Sequence, residues 1–188
     1  MSAIAFDNTM LSALLNPDGK PVRVPGTSIP LEFAKERAET IVAQLEKSRR
    51  KIILPAPACA ELLTAIGPDA QQYLNIVARS RVFEIGVFDA RGAAELAFLN
   101  RGIFRELDEK NMAEPYQKRK VDRQIIAICK VYGASEIYTD DNGLSILARM
   151  CGITPVSLSD VPVLDSARQF KLKLEPHEDL SSAEITSK

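Results

Sequence analysis

Lys120-Val121-Asp122-Arg123-Gln124-Ile125-Ile126-Ala127-Ile128-Cys129 leads through Tyr132-Gly133-Ala134 to Ile137-Tyr138-Thr139-Asp140-Asp141. The first part predicts a helix over 121–132. Ile125, Ile126, Ile128 and Cys129 spread apolar contact around most of its circumference, so it is expected to be buried. Glu136-Ile137-Tyr138 reads as a strand. A helix over 142–151, stopped by Gly152, and a strand over 153–156 follow.

The same alternation extends upstream. Ala3-Ile4-Ala5-Phe6 is a short apolar run, read as a buried strand, with a helix over 9–15 behind it. Residues 16–30 hold Pro17, Gly19, Pro21, Pro25, Gly26 and Pro30, which predicts a loop or small hairpin. An amphipathic helix is expected over 31–50, with Phe33, Ala38, Ile41, Val42 and Leu45 on one side. A strand over 51–54, a helix over 58–66 stopped by Gly67-Pro68, a helix over 69–78 and a strand over 81–87 come next. Asp89 opens a helix with a small-residue face of Ala93, Ala94, Leu96, Ala97 and Leu99, and the polar stretch 106–117 reads as a loop. Strands alternating with helices imply an α/β fold, a Rossmann-like three-layer α/β/α sandwich with a mainly parallel sheet. In such sheets, sites form outside the carboxyl ends of the strands.

The chain has 188 residues, 46% hydrophobic and 26% charged, with a net charge of -1. That suits one domain over 1–160 carrying an insertion at about 16–50, then a C-terminal extension over 161–188 expected to be partly disordered. The near-zero charge leaves no global basic field. The single histidine, His177, excludes any mechanism needing two imidazoles and any multi-histidine zinc site. No apolar run reaches the ~18 residues of a membrane span. The first residues lack a basic region and their apolar run breaks at Asp7, so no signal peptide is expected. Cys59, Cys129 and Cys151 show no metal or CxxC spacing and read as reduced thiols of a cytoplasmic protein.

Carboxylates recur where strands end. Asp7 follows the first strand and suits a helix N-cap. Glu61 lies among small and apolar residues one turn past the second strand, and either points to solvent or is needed inside. Asp122 stands in the first turn of the most buried helix, where an acid also suits the macrodipole. Asp140 and Asp141 follow a strand and Thr139, where a turn and a cap are the ordinary use. Together these positions converge on one end of one sheet. Like charges so packed raise one another's pKa unless a cation compensates. Oxygen ligands suit Mg²⁺ or Mn²⁺, and a phosphate would complete the coordination. Such an ion can activate water for an in-line displacement without any histidine. Lys118, Arg119, Lys120 and Arg123 flank Asp122 and could hold phosphates there, with Tyr116 a candidate for base stacking. Lys47, Arg49, Arg50 and Lys51 enter their strand at the opposite end and read as a solvated face.

These residues resemble the PIN-domain family. Ile4-Ala5-Phe6-Asp7-Asn8-Thr9-Met10-Leu11 is similar to its opening strand and helix. Ile53-Leu54-Pro55-Ala56-Pro57-Ala58-Cys59-Ala60-Glu61-Leu62-Leu63 is similar to its second motif, and Phe88-Asp89-Ala90-Arg91-Gly92-Ala93-Ala94-Glu95-Leu96-Ala97 to the helix start that usually follows. The stretch from Lys120 and the Thr139-Asp140-Asp141 turn, closing on Gly152-Ile153-Thr154-Pro155-Val156, are the most specific matches, in the family's order. The resemblance implies a toxin-like, metal-dependent endoribonuclease, often the toxin of a bacterial toxin–antitoxin pair, that leaves 5′-phosphate and 3′-hydroxyl ends. It implies Asp7, Glu61, Asp122 and Asp141 as catalytic acids and metal ligands, Asp140 as a further acid at the metal, and Thr9 as a nearby hydroxyl. Mg²⁺ or Mn²⁺ is the implied cofactor. RNA is the implied partner, with an antitoxin protein and a second copy of the chain as candidates. The chain is longer than the compact toxins and has no marked basic excess. Three alternatives stand beside this reading. One is a housekeeping RNA-processing nuclease. Another is a catalytically degenerate PIN-like module that binds RNA or protein, which the four acids argue against. The third is a haloacid-dehalogenase-type phosphatase, which would want a second Asp where Thr9 stands.

Overall fold

The computed structural model describes residues 2–15, 19–105 and 116–163. Residues 106–115 of the expected polar loop, the tail beyond 163 and His177 lie outside the described residues. In chain order the elements are β1 (Ala3–Phe6), α1 (Asn8–Leu15), α2 (Ala34–Ser48), β2 (Ile52–Pro55), α3 (Ala56–Ile66), α4 (Ala70–Arg79) and β3 (Phe83–Gly86). They continue with α5 (Ala90–Arg101), α6 (Tyr116–Val131), β4 (Ala134–Tyr138), α7 (Asn142–Met150) and β5 (Thr154–Val156).

The strands form one sheet in the order β3-β2-β1-β4-β5, every neighbouring pair parallel. Ile4 stands opposite Ile52, and Phe6 opposite Tyr138. The central strands are unbroken apolar runs because helices cover both faces; Ile4, Ala5, Phe6, Ile52, Ile53 and Leu54 are all buried. Right-handed crossovers put α1 to α4 on one face and α5 to α7 on the other. Packing agrees: α1 touches α2 and α3, α3 touches α4, and α6 touches α5 and α7. The two groups meet where α3 touches α6. The chain thus adopts the expected α/β sandwich. The direction in which strands are added to the sheet reverses between β1 and β4, which makes the gap beyond their carboxyl ends the switch point of the fold.

Three elements differ from their sequence reading. Helix α6 starts at Tyr116, five residues before the expected boundary. Its first turns carry Gln117, Lys118, Arg119 and Lys120, which give no apolar period to read. Helix α2 is shorter at both ends, because Phe33 (φ 57°) and Arg49 (φ 53°) take left-handed backbone conformations that bound it. On α5 the small residues Ala93, Ala94 and Ala97 face solvent, while Gly92 and Leu99 are buried.

The proline- and glycine-rich stretch forms a small hairpin. Arg23 and Pro30 make an antiparallel bridge, and the Val24 N–H donates to the Ile29 carbonyl at 2.9 Å. Helix α2 behind it buries Ala38, Ile41 and Leu45 in the core. Arg37 of α2 donates to the backbone carbonyls of Ser159 (3.0 Å) and Val161, tying down the chain after β5. Gly86 ends β3 where α6 crosses closest. A Cβ there would stand 2.6 Å from Ile128 and 2.7 Å from Ile53, so only glycine lets α6 settle on the sheet. Cys59 is half-buried, Cys129 and Cys151 are buried, and all three are free thiols. Burial pushes the Cys59 thiol up to about 11 and Cys129 up to about 12, which leaves both protonated and unreactive.

Candidate active site

Asp7 follows β1 at the switch point and is only 5% exposed. Its Oδ1 accepts the N–H groups of Thr9 (2.8 Å) and Met10 (3.5 Å), so it caps α1 as its position in the sequence suggested. Its Oδ2 accepts the Thr139 hydroxyl. Thr139 in turn accepts the Asp141 N–H at 3.1 Å, so one hydroxyl joins the ends of β1 and β4. Burial pushes the Asp7 carboxyl up to about 7, and the Thr139 hydrogen bond offsets only part of that rise.

Asp7 shares a cavity of about 360 Å³ with Asn8, Thr9, Glu61, Lys118, Asp122 and Asp141. Four separate elements deliver the acids. Asp7 comes from the β1–α1 turn, Glu61 from α3, Asp122 from α6 and Asp141 from the β4–α7 turn. Lys118, Val121, Asp122 and Ile125 all line it, the 3–4 residue spacing of one helix face. Asp122 is 7% exposed, whereas Glu61 is exposed at the rim. Glu61 is held by an Asn8 Nδ2 donor at 3.2 Å, and the Asn8 Oδ1 accepts the Ser12 hydroxyl at 3.2 Å.

Of the four cations expected beside Asp122, Lys118 and Arg123 take different places. Lys118 reaches into the cavity, its Nζ 2.8 Å from Asp141 Oδ2. Burial alone would raise the Asp141 carboxyl, but Lys118 and the Leu144 N–H outweigh it and hold it below the ordinary value. Arg123 turns to α5 instead: its guanidinium stacks 4.9 Å from the Phe104 ring centroid and donates to Asn100 at 3.2 Å. Arg119, Lys120 and Arg123 do not line the cavity, because helical rotation turns them off the face that carries Lys118 and Asp122. Tyr116 opens α6.

Asp140 stands outside this cavity and lines a neighbouring groove. Its Oδ1 accepts the Ser157 hydroxyl at 2.6 Å and the Leu158 N–H at 3.3 Å. Burial raises its carboxyl above the ordinary value despite those bonds. At the other end of the sheet Lys47, Arg49 and Lys51 are exposed as a solvated face would be, whereas Arg50 is half-buried. Arg50 pairs with Glu136 at 2.9 Å, and Lys51 donates to the Arg81 carbonyl at 3.0 Å.

The donors are carboxylates and hydroxyls, the set that suits a hard divalent cation. The raised Asp7 carboxyl comes first from burial, with a smaller contribution from the charge of Asp140. Among the described residues, no three histidine, cysteine or acidic side chains stand close enough to share an ion in this arrangement. Two residues matter more here than in the sequence. Thr139 served there only to locate Asp141, and Asn8 only as part of the opening motif after Asp7. Asn8 had one legible signal, an amide directly after the strand-end acid.

No protein-family profile and no curated protein matches the sequence. Among solved structures, the chain is similar to VapC20 of Mycobacterium tuberculosis, a toxin that cleaves the sarcin–ricin loop. The two share 18% identity over 77% of this chain and 95% of that one, with a TM-score of 0.47. At that distance the likeness carries no inference about activity.

Proposed function

We propose that the chain is a metal-dependent endoribonuclease that hydrolyses RNA phosphodiester bonds. One observation carries the reading: acids from four elements line one cavity at the switch point, and the deepest of them is buried with its carboxyl raised. The donor chemistry fits Mg²⁺ or Mn²⁺, with Asp7 and Asp122 as the buried holders and Glu61 and Asp141 at the rim. A divalent ion, when bound, neutralises these carboxylates and the substrate phosphate and lowers the pKa of water. Thr139 and the α1 N–H groups fix both oxygens of Asp7. Asn8 orients Glu61. Lys118 sits where it can exchange Asp141 for a substrate phosphate oxygen.

The narrower setting, the toxin of a toxin–antitoxin pair, rests on the motif resemblance. Growth arrest on expression, rescued by a linked antitoxin, supports it; no growth effect favours an RNA-processing role. The Lys118–Asp141 ion pair and the wide spacing of the acids favour one second reading, an RNA-binding module with a degenerate site. Purified protein incubated with single-stranded RNA, structured RNA and single-stranded DNA, with and without each ion, separates the two. Ion-dependent RNA cleavage supports the nuclease, and RNA binding without cleavage supports the module.

A further inference from the structure

We propose that the hairpin after α1 forms a second nucleotide-binding site, which holds the single-stranded RNA segment next to the scissile phosphate. The inference rests on the nuclease reading for the word scissile, while the site itself stands on its own geometry. A groove of about 410 Å³ lies between the hairpin and the β4–α7 turn. It shares Asn8, Thr9 and Asp141 with the acidic cavity, so a strand lying across the cavity continues into it.

Its walls have the chemistry of a nucleotide. Lys20 and Arg23 are exposed on the hairpin side, and among the described residues no side chain pairs with either. Of the groove's own acids, Asp141 pairs with Lys118, and Asp140 accepts the Ser157 hydroxyl and the Leu158 N–H on Oδ1 while its Oδ2 is buried without a hydrogen-bond partner. Lys20 and Arg23 are the two cations a phosphate meets there, on the wall across from Asp140 and Asp141. Pro21, Val22, Val24 and Pro25 give an apolar wall for a base or sugar face, and Ser12 and Thr27 give hydroxyls. The wall is preorganised. Thr27 donates from its N–H (3.0 Å) and its hydroxyl (2.9 Å) to the Val24 carbonyl, and Leu31 N–H donates to the Val22 carbonyl at 2.8 Å. A ligand entering the groove orders little chain, which favours affinity.

The test is fluorescence anisotropy of an end-labelled, eight-nucleotide single-stranded RNA on the full chain, in Ca²⁺ and again in EDTA, over a series of salt concentrations. Lys20→Ala/Arg23→Ala is expected to weaken binding roughly tenfold and to flatten the salt slope by about 1.4, the loss of two phosphate contacts on a single strand. Lys47→Ala/Arg79→Ala, at the other end of the sheet, is the matched control and is expected to bind like the wild type. Lys20→Gln/Arg23→Gln repeats the charge loss with longer side chains, and circular dichroism checks the fold of each. Unchanged affinity and slope in both groove variants, or a wild type that binds no RNA in either condition, overturns the proposal. Cleavage in Mg²⁺ or Mn²⁺ is read separately. A wild type that binds through the groove but never cleaves sinks the nuclease reading and leaves the groove standing.

Discussion

Asp7 is both a helix cap and the deepest acid of the cavity, and these two duties have opposite electrostatic consequences. Capping favours its charged form, whereas burial opposes it and wins, pushing the carboxyl to about 7 from an ordinary 3.8. Without a divalent ion, the folded chain therefore holds a proton on Asp7 between about pH 4 and pH 7 that the unfolded chain releases. The stabilisation this gives is fully present below about pH 4, falls across that interval and is gone above about pH 7. Asp7→Asn keeps an oxygen for the Thr9 and Met10 N–H groups but has no charge to bury. In EDTA at pH 8 the variant is expected to be more stable than the wild type, by up to about 4 kcal/mol, yet inactive with either ion. Denaturant melts at pH 5 and pH 8 check this, and a wild-type stability that does not fall with pH relative to the variant would remove the buried-charge account. Asn8 is a positioning residue for Glu61. Asn8→Ala is expected to lower kcat roughly tenfold with little change in the thermal midpoint; Asn8→Gln, which keeps the amide, should recover part of the loss. A kcat equal to wild type would take Asn8 out of the site. The sequence suggested these acids as caps or ligands, and for Asp7 and Asp141 the cap is real. Which oxygen does which job depends on Thr139, 132 residues away along the chain, and no local pattern shows that.

Helix α6 connects the core to the site, because its buried side seats it on the sheet and so fixes Asp122. Gly86 sets that seat. Gly86→Ala forces a methyl group into Ile128 and Ile53 and is expected to cost about 1–3 kcal/mol. A midpoint within a degree of wild type would mean that α6 shifts without cost. Arg37 works in the same way for α2, holding the backbone after β5 through two carbonyls. Arg37→Ala is expected to speed amide hydrogen exchange in residues 158–163 while leaving β1 and β2 protected, and uniform exchange would contradict it. At this scale most strands and helices were legible, since short apolar runs and helical periods are local signals. The early start of α6 was not, because Gln117, Lys118 and Lys120 are polar and exposed and carry no apolar period. The fate of Arg123 was not legible either. Sequence proximity to Asp122 suggested phosphate binding, but a rotation of about 100° per residue turns it onto Phe104 and Asn100.

Across the whole molecule, the sheet order converts distance along the chain into proximity. β1 lies between β2 and β4, so acids at positions 7, 61, 122 and 141 line one cavity beyond its carboxyl end. Alternation of strands and helices foretold the sandwich and the end of the sheet to examine. It did not foretell strand order, nor that the hairpin would stand beside the acidic cavity, since both depend on contacts between distant segments. The near-zero net charge is likewise an average, over an acidic cavity, a groove with two cations and a solvated basic face at the far end. Hydrolysis by the four acids with a divalent ion is the proposal on which the rest depends. The direct measurement is cleavage of single-stranded RNA by the purified chain and by Asp122→Asn, each in Mg²⁺, Mn²⁺ and EDTA, with folding of the variant verified by circular dichroism. Cleavage by the wild type with either ion, none in EDTA and none by the folded variant are the expected results. Cleavage by Asp122→Asn in Mn²⁺, or a wild type inert with both ions, would contradict the proposal.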